Sequence, residues 1–379
     1  MTNPLKTTRR NLGEKVNDFL TSDMFYTNFY WVADWIMTGL CNLACTYCSR
    51  EDIKTENIDY WQSLERIKKI KPKALWVTGN GEPTLVSDLP GLLAEAKSSW
   101  NPYITMVNNG TNTRRVFRVL PHLDQLAVSV DGIGNVNVET RGLDGDKVVQ
   151  HIRAIHQRIQ SDGLPVQLVT NTVVTTENFK WANEFIRTVN GISPDIVMFM
   201  SPLLPLDSPM SVVSSEETHN RFSDWLRDTE NSYNVISHFG HFENGFQPEI
   251  VCHHQYFRTV IDYHGKLHPC KPQLPWNYHM MNMRQMVKQK RFVDTGKEAA
   301  KMFNTLVTNR HNPVCHTPCN CHSYLDWFFR GQDHPMWRVY GNVYKERFTK
   351  KEIDKAYRFI VKRINPEFPY EKLMPLLKP

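Results

Sequence analysis

Three cysteines within eight residues are the feature of this sequence that most directly indicates chemistry. Cys41, Cys45 and Cys48 follow a short apolar segment, so they are expected on a loop at the carboxyl end of a strand. A structural zinc ion needs a fourth ligand, and no histidine precedes His122. A [4Fe-4S] cluster held by three thiolates instead keeps one iron free to bind a small molecule. The spacing therefore predicts an iron–sulfur cluster with one open position.

The remaining five cysteines form a second, dispersed group. Two of them flank the Asp-Tyr-His-Gly turn at 262–265, which is typical of a hairpin with one thiol on each side. Four of the five thiolates could hold a second cluster. A structural zinc site with mixed ligands is the alternative, because several histidines lie among them. These cysteines are Cys252, Cys270, Cys315, Cys319 and Cys321, and spacing leaves open whether Cys319 or Cys321 is the fourth ligand.

Four polar segments lie at or just after predicted strands, where parallel α/β sheets bind ligands. The first two are Gly-Asn-Gly-Glu-Pro at 79–83 and Asn-Asn-Gly-Thr at 108–111. The others are Ser-Val-Asp-Gly at 129–132 and Asn-Thr-Val-Val at 171–174. Taken singly, each could be a polar loop that caps a strand. Together with the cysteine triplet, they are hard to explain as capping loops alone.

The triplet and these segments together resemble the radical S-adenosylmethionine (SAM) superfamily. The aromatic residue before the last cysteine and the Gly-x-Gly-Glu-Pro turn follow its pattern, with Asn80 as a departure between the two glycines. The resemblance covers about residues 30–205 and implies a partial (β/α)6 barrel with SAM across its open top. It also implies that SAM contacts Tyr47, Gly79, Gly81, Glu82, Asn108, Ser129, Asp131, Arg141 and Val174.

The second cysteine group resembles the SPASM or twitch extension of radical SAM enzymes. Cys252-x12-Gly265-x4-Cys270 follows the spacing of the first part of that extension. The full SPASM pattern needs more cysteines than the chain has, so the shorter one-cluster twitch form fits better. The resemblance implies an auxiliary [4Fe-4S] cluster.

Strand-like and helix-like segments alternate about six times before Pro202, which favours a parallel α/β sheet or barrel. One helix is predicted behind Asp59 as its N-cap, and another ends at Asp162 and Gly163. A third runs through apolar residues spaced between Phe179 and Val189. The predicted strands are Trp35–Thr38, Ala74–Thr78, Tyr103–Val107, Gln125–Val130, Val166–Val174 and Asp195–Met200.

Composition shifts divide the chain into five predicted segments. A Pro-rich and Ser-rich stretch after Pro202 marks the end of the barrel. The predicted fold class is thus α/β, a partial radical SAM barrel followed by a small twitch-like metal-cluster domain and a helical basic tail. The segments are an N-terminal segment (1–33), the barrel (34–205), a linker (206–250), the cluster domain (251–330) and the tail (331–379).

The 379 residues are 41% hydrophobic and 22% charged, which excludes a disordered or fibrous protein. No stretch approaches the roughly 18 apolar residues of a membrane span, and the first residues mix charges of both signs. We therefore expect no membrane partner and a cytoplasmic location. In that compartment clustered thiols hold metal more often than they form disulfides.

The net charge of +6 is concentrated at the carboxyl end, where Arg330 to Pro379 contain 12 Lys and Arg against 6 Asp and Glu. A basic tail suits an anionic substrate such as a nucleotide or nucleic acid. Such a run can also be a helix face in water, so a peptide or a small metabolite is the alternative substrate.

The family resemblance implies a definite chemistry. SAM would be cleaved reductively to a 5'-deoxyadenosyl radical that abstracts a substrate hydrogen, with electrons from a donor such as flavodoxin or ferredoxin. The sequence leaves open whether oxidation, isomerisation or bond formation follows. The competing class is a non-enzymatic iron–sulfur or zinc protein, which leaves the Gly-Glu-Pro and Ser-x-Asp-Gly turns unexplained.

Overall fold

A computed structural model describes residues 32–48, 58–203, 209–237, 258–263 and 267–268, with positions 347, 349 and 351–352. Strands β1 to β7 lie side by side in chain order, and each pair from β2–β3 to β6–β7 is parallel. The sheet is open. Its strands are β1 (Val32–Ile36), β2 (Ala74–Thr78), β3 (Tyr103–Asn108), β4 (Gln125–Ser129), β5 (Gln167–Val174), β6 (Val197–Pro202) and β7 (Val235–Ile236).

Helices connect successive strands, as parallel pairing requires. This alternation confirms the predicted α/β class and the open, barrel-like parallel sheet. The helices are α1 (Tyr60–Ile70), α2 (Leu89–Trp100), α3 (Thr113–Val119), α4 (Gly134–Arg141), α5 (Gly145–Ser161), α6 (Ala182–Asn190) and α7 (Glu216–Ser232). Among the described residues, no helix combines the length and hydropathy that a bilayer span requires.

Local signals in the sequence explain several element boundaries. Asp59 accepts a hydrogen bond from the backbone of Gln62 at the start of α1, and Gly163 adopts a φ of +60° just after α5. Strand β1 ends at Ile36, whereas the sequence predicts its end at Thr38. The Thr38 side chain accepts a hydrogen bond from Leu40 N, which turns the chain there. Sequence periodicity does not report such a turn.

The sheet continues into the segment that the sequence assigns to a linker, 206–250. Helix α7 begins at a capping box formed by Ser215 and Thr218, and it buries Phe222 and Leu226. Strand β7 then pairs with β6 in parallel. This part of the predicted linker therefore belongs to the same sheet as the barrel.

A short antiparallel hairpin forms between the positions of Cys252 and Cys270. Its strands are β8 (Arg258–Ile261) and β9 (Leu267–His268). Both cysteines lie outside the described residues. The hairpin agrees with the turn predicted at 262–265.

The two faces of the sheet differ in polarity. Val128 of β4 and Val148 of α5 both lie beside Gly110. Val128 therefore points to the face of the sheet that the helices cover. On the opposite, inner face, the Thr105 hydroxyl donates to Gln125 (3.2 Å) and the Gln125 amide donates to Gln167 (2.7 Å). Side chains alternate between faces along each strand. The strand register places every second residue of β2–β6 on the same face as Thr105, Gln125 and Gln167, and all of these residues are uncharged.

Candidate active site

The cysteine loop (residues 38–48) runs directly beside the Gly-Asn-Gly-Glu-Pro turn. Gly81 N donates to Thr38 O (2.9 Å), and Glu82 N donates to Leu40 O (2.7 Å). A Cβ on Gly81 would lie 1.8 Å from Leu40 O, and a Cβ on Gly79 would lie 2.3 Å from Gly81 O. Only glycine at 79 and 81 allows this close backbone approach. The two motifs are therefore one hydrogen-bonded unit.

No disulfide joins the three thiols of the loop, of which Cys41 and Cys45 are half-buried and Cys48 is exposed. Burial raises the pKa of Cys45; Arg141 acts in the opposite direction, and Cys48 and Cys41 are near enough to raise the pKa further. Among the described residues, no three potential ligands surround a point suited to one metal ion. In a cubane cluster the thiolates bind different iron atoms, so they need not converge in this way. The donor set fits a [4Fe-4S] cluster held by three thiolates.

Glu82 is turned into the protein and bridges two turns. Its Oε1 accepts from Thr84 N (3.0 Å) and from the Thr84 hydroxyl (2.7 Å), while its Oε2 accepts from Asn109 N (2.7 Å). Glu82 is only 2% exposed, and burial raises its pKa, with the bonds from Thr84 and Asn109 acting the other way. The carboxylate thus fixes the carboxyl ends of β2 and β3 together.

Asn109 connects the cysteine loop to the turn after β3. Its amide donates to Asn42 Oδ1 (2.8 Å) and lies 3.9 Å from Cys41 Sγ. Asn42 in turn donates to the Thr111 hydroxyl (3.0 Å). Asn108, the predicted SAM contact, instead donates to Ala127 O (3.1 Å) and accepts from Gly110 N (2.8 Å). Of these two asparagines, Asn109 is therefore the one whose side chain reaches a thiol.

Buried Asp131 and Arg141 form a cluster with half-buried Tyr47. The Tyr47 hydroxyl donates to Asp131 Oδ2 (2.5 Å), and Arg141 Nε lies 2.9 Å from the same oxygen in an ion pair. Burial and the nearby Asp131 charge raise the pKa of Tyr47 far above its ordinary value. Burial lowers the pKa of Arg141, but Asp131 outweighs it and raises that pKa. Tyr47 is therefore neutral and Arg141 charged at physiological pH.

The other predicted contacts lie on neighbouring strand ends. Ser129 is 7% exposed at the end of β4 and pairs with Asn171 of β5. Val174 is buried at the end of β5. Two further hydroxyls at this edge, of Thr78 and Ser201, are buried without a hydrogen-bond partner. The predicted ligands Cys252, Cys270, Cys315, Cys319 and Cys321 lie outside the described residues.

Two asparagines that sequence reasoning missed hold the backbone of Asp131. Asn137 accepts from Asp131 N (2.8 Å), and Asn178 donates to Asp131 O (3.2 Å) and Val173 O (2.8 Å). Their only sequence signal is the preference of asparagine for turns next to strand ends. Asn178 thereby joins the carboxyl ends of β4 and β5, and Asn137 holds Asp131 from α4.

Comparisons with known proteins agree with this geometry. Residues 35–189 match the family model described as the Radical SAM superfamily. GTPase Obg of Brachyspira hyodysenteriae is 27% identical over 189 residues, which cover 44% of this chain and 27% of that protein. The probable GTP 3',8-cyclase of Metallosphaera sedula is 28% identical over 170 residues, or 42% of this chain and 51% of that protein. The chain thus spans about half or less of these curated relatives.

A solved structure shares the fold. Streptococcus suis SuiB superposes with a TM-score of 0.53 at 15% sequence identity, covering 78% of this chain and 72% of SuiB. The matched family region contains the cysteine triplet, the Gly-Asn-Gly-Glu-Pro turn and the cluster around Asp131. Together, the family match and the site geometry identify residues 35–189 of this chain as a radical SAM domain.

Proposed function

We propose that this chain is a radical SAM enzyme that binds a [4Fe-4S] cluster through Cys41, Cys45 and Cys48. When bound, the cluster and SAM supply the chemistry: reductive cleavage of SAM to a 5'-deoxyadenosyl radical that abstracts a substrate hydrogen. The protein would hold both groups in fixed geometry. A non-enzymatic cluster protein would not need the turns that surround the thiols.

One observation carries this proposal, namely that the cysteine loop and the Gly-Asn-Gly-Glu-Pro turn share backbone hydrogen bonds at Thr38 and Leu40. A cluster on the loop and the methionine end of SAM on the turn would therefore sit on one unit. Because neither glycine at 79 or 81 tolerates a side chain, this arrangement is built into the backbone.

The test is anaerobic reconstitution of the full-length protein, followed by reduction with SAM present and measurement of 5'-deoxyadenosine. We expect 5'-deoxyadenosine from the wild type and none from a variant with all three loop cysteines replaced by alanine. A wild-type protein that holds four iron atoms in this cluster yet releases no 5'-deoxyadenosine would contradict the proposal.

We also propose that an auxiliary [4Fe-4S] cluster is bound by four of the five carboxyl-terminal cysteines. The support is their spacing and the hairpin β8–β9, which lies between the positions of Cys252 and Cys270. Two clusters require about eight iron and eight sulfide per chain. About four iron together with one zinc would instead support the zinc site.

For the substrate, we propose a nucleotide or nucleic acid. The basic tail supports it, and one relative bears the name probable GTP 3',8-cyclase, which specifies a nucleotide. The inner face of β2–β6 is uncharged in the described residues, so the basic tail is the part of the sequence that supports phosphate binding.

Titration of labelled single-stranded and double-stranded DNA and RNA at several salt concentrations tests this substrate class. Phosphate contacts release counterions, so we expect affinity to fall steeply with salt and a charge-reversed tail (Lys351, Lys355, Arg358 and Lys362 to Glu) to flatten the dependence. Equal, weak binding by both proteins would contradict the nucleic-acid proposal and favour a peptide or small metabolite.

A further inference from the structure

One carboxylate connects three elements around the cysteine loop. Asp131 Oδ1 accepts from Val173 N at the end of β5 (2.9 Å), whereas Oδ2 accepts from the Tyr47 hydroxyl (2.5 Å). Arg141, at the end of α4, supplies the counter-charge at 2.9 Å. The Asp131 side chain is fully buried and that of Arg141 is 9% exposed. A single charge therefore joins the loop, β5 and α4.

The same turn of the loop is also attached to α4 through its backbone. Thr46 N donates to Thr140 O (2.9 Å), and the Thr46 hydroxyl reaches the same oxygen (3.3 Å). The Arg141 guanidinium lies over the Tyr47 ring, 5.7 Å from its centroid. Tyr47 is thus held both at its hydroxyl and on its ring face.

We propose that Tyr47, Asp131 and Arg141 act as a latch that positions residues 45–48, and with them Cys48, relative to the ends of β4 and β5. All three are positioning residues in this proposal. Arg141 acts in the latch as the partner of Asp131 through its Nε, and its contact with the SAM carboxylate stays a prediction. Only the effect on SAM binding rests on the proposed function; the latch itself is a property of the protein alone.

The hydroxyl of Tyr47 is the part of this arrangement that an aromatic ring alone would not supply. Its hydrogen bond to a buried carboxylate is charge-assisted, and such bonds are about twice as strong as neutral ones. Tyr47→Phe removes this bond and leaves the ring in place. We expect the equilibrium constant for local opening of residues 45–48 to rise about tenfold or more, because a hydrogen bond to a charged group usually contributes that much stability.

Hydrogen exchange of the full-length protein, measured before any cluster is loaded, tests the latch directly. Tyr47→Phe should raise amide exchange in residues 45–48 about tenfold relative to exchange in α5. The matched control is Tyr103→Phe, which removes a tyrosine hydroxyl at the amino end of β3 and should leave that ratio unchanged. The same ratio in both variants would overturn the latch. Because α5 is the internal reference, a variant that unfolds globally cannot imitate the expected result.

Two substitutions at Arg141 separate the effect of its charge from the effect of its shape. Arg141→Gln should raise exchange in residues 45–48 as Tyr47→Phe does, because Asp131 loses its counter-charge. Arg141→Lys keeps the positive charge and should restore part of the protection. If lysine restored none of it, the ion pair would have no part in the latch.

The loaded enzyme provides the readout that a merely structural role would not change. We expect Tyr47→Phe to keep the iron content of the wild type but to bind SAM about tenfold more weakly, measured by calorimetry on the reconstituted protein. Iron content and SAM affinity both equal to those of the wild type would overturn the positioning role. Failure of the wild type to cleave SAM would contradict the proposed function while leaving the exchange result to decide the latch.

Discussion

Gly81 is the position where the structure predicts the largest effect of adding one methyl group. The Cβ of an alanine would lie 1.8 Å from Leu40 O, 2.4 Å from Leu40 C and 2.7 Å from Gly39 C. All three are backbone atoms, so no side chain can move aside. Gly81 does not have a positive φ. The strain of an added Cβ therefore comes from steric overlap and not from backbone conformation.

The size of the effect follows from the bonds that this contact would break. To reach even 3.0 Å, the added Cβ and Leu40 O must separate by about 1.2 Å. The bonds of Gly81 N to Thr38 O (2.9 Å) and Glu82 N to Leu40 O (2.7 Å) would then be lost or badly stretched. Each buried backbone group left unpaired costs about 1–3 kcal/mol, and alanine returns about 0.4–1 kcal/mol through the unfolded chain. We expect Gly81→Ala to lower the free energy of unfolding by about 3 kcal/mol.

Denaturant unfolding of the full-length protein measures this difference against Gly191→Ala. Gly191 ends α6 with an ordinary φ of −69°, and a Cβ there would lie 3.2 Å from its nearest neighbour, Arg187 O. The control should stay within about 0.5 kcal/mol of the wild type. If both variants unfolded at the same denaturant concentration, the close approach of the turn to the cysteine loop would be wrong.

Three further predictions concern the site and its clusters. Replacing the three cysteines of the loop with alanine should abolish 5'-deoxyadenosine release, measured by chromatography, and leave the carboxyl-terminal metal in place. Cys270→Ala should do the reverse, keeping some abortive SAM cleavage while metal content falls; full metal content in this variant would make Cys270 incidental. Burial raises the pKa of Glu82 above its ordinary value of 4.5, so folding favours the protonated form. The stability that this group contributes is therefore complete below pH 4.5 and is lost as pH rises through the folded pKa. Glu82→Gln, which cannot titrate, should therefore gain stability relative to the wild type over that range, and a loss in unfolding titrations would refute burial as the dominant cause.

Much of the fold could be predicted because short apolar segments and turn residues alternate regularly. The apolar positions of α5, from Val148 to Ile159, are buried as their spacing predicts. The segment 206–250 departs from the predicted linker for two physical reasons. Strand β7 has two residues, too few to show periodicity, and α7 follows the Pro-rich and Ser-rich stretch that indicated a linker.

The candidate site was predictable by position but not by side-chain direction. Neighbouring residues at a strand end point to opposite faces, so Asn108 bonds within the sheet while Asn109 lies beside Cys41. Tyr47 and Asp131 are 84 positions apart, and no local pattern indicates that they share a hydrogen bond. A motif specifies which residues gather at an edge, whereas tertiary packing decides which of them bond to one another.

Two buried carboxylates perform the same structural task at this edge with different electrostatics. Glu82 receives a hydrogen bond from the end of β3, and Asp131 receives one from the end of β5. Each also contacts the segment that carries the cysteines, Glu82 through its backbone and Asp131 through Tyr47. Arg141 balances the charge of Asp131, whereas in the described part of the chain Glu82 has only neutral donors. Burial therefore disfavours the charged form of Glu82, and its pKa is raised, whereas Asp131 has a positive partner beside it.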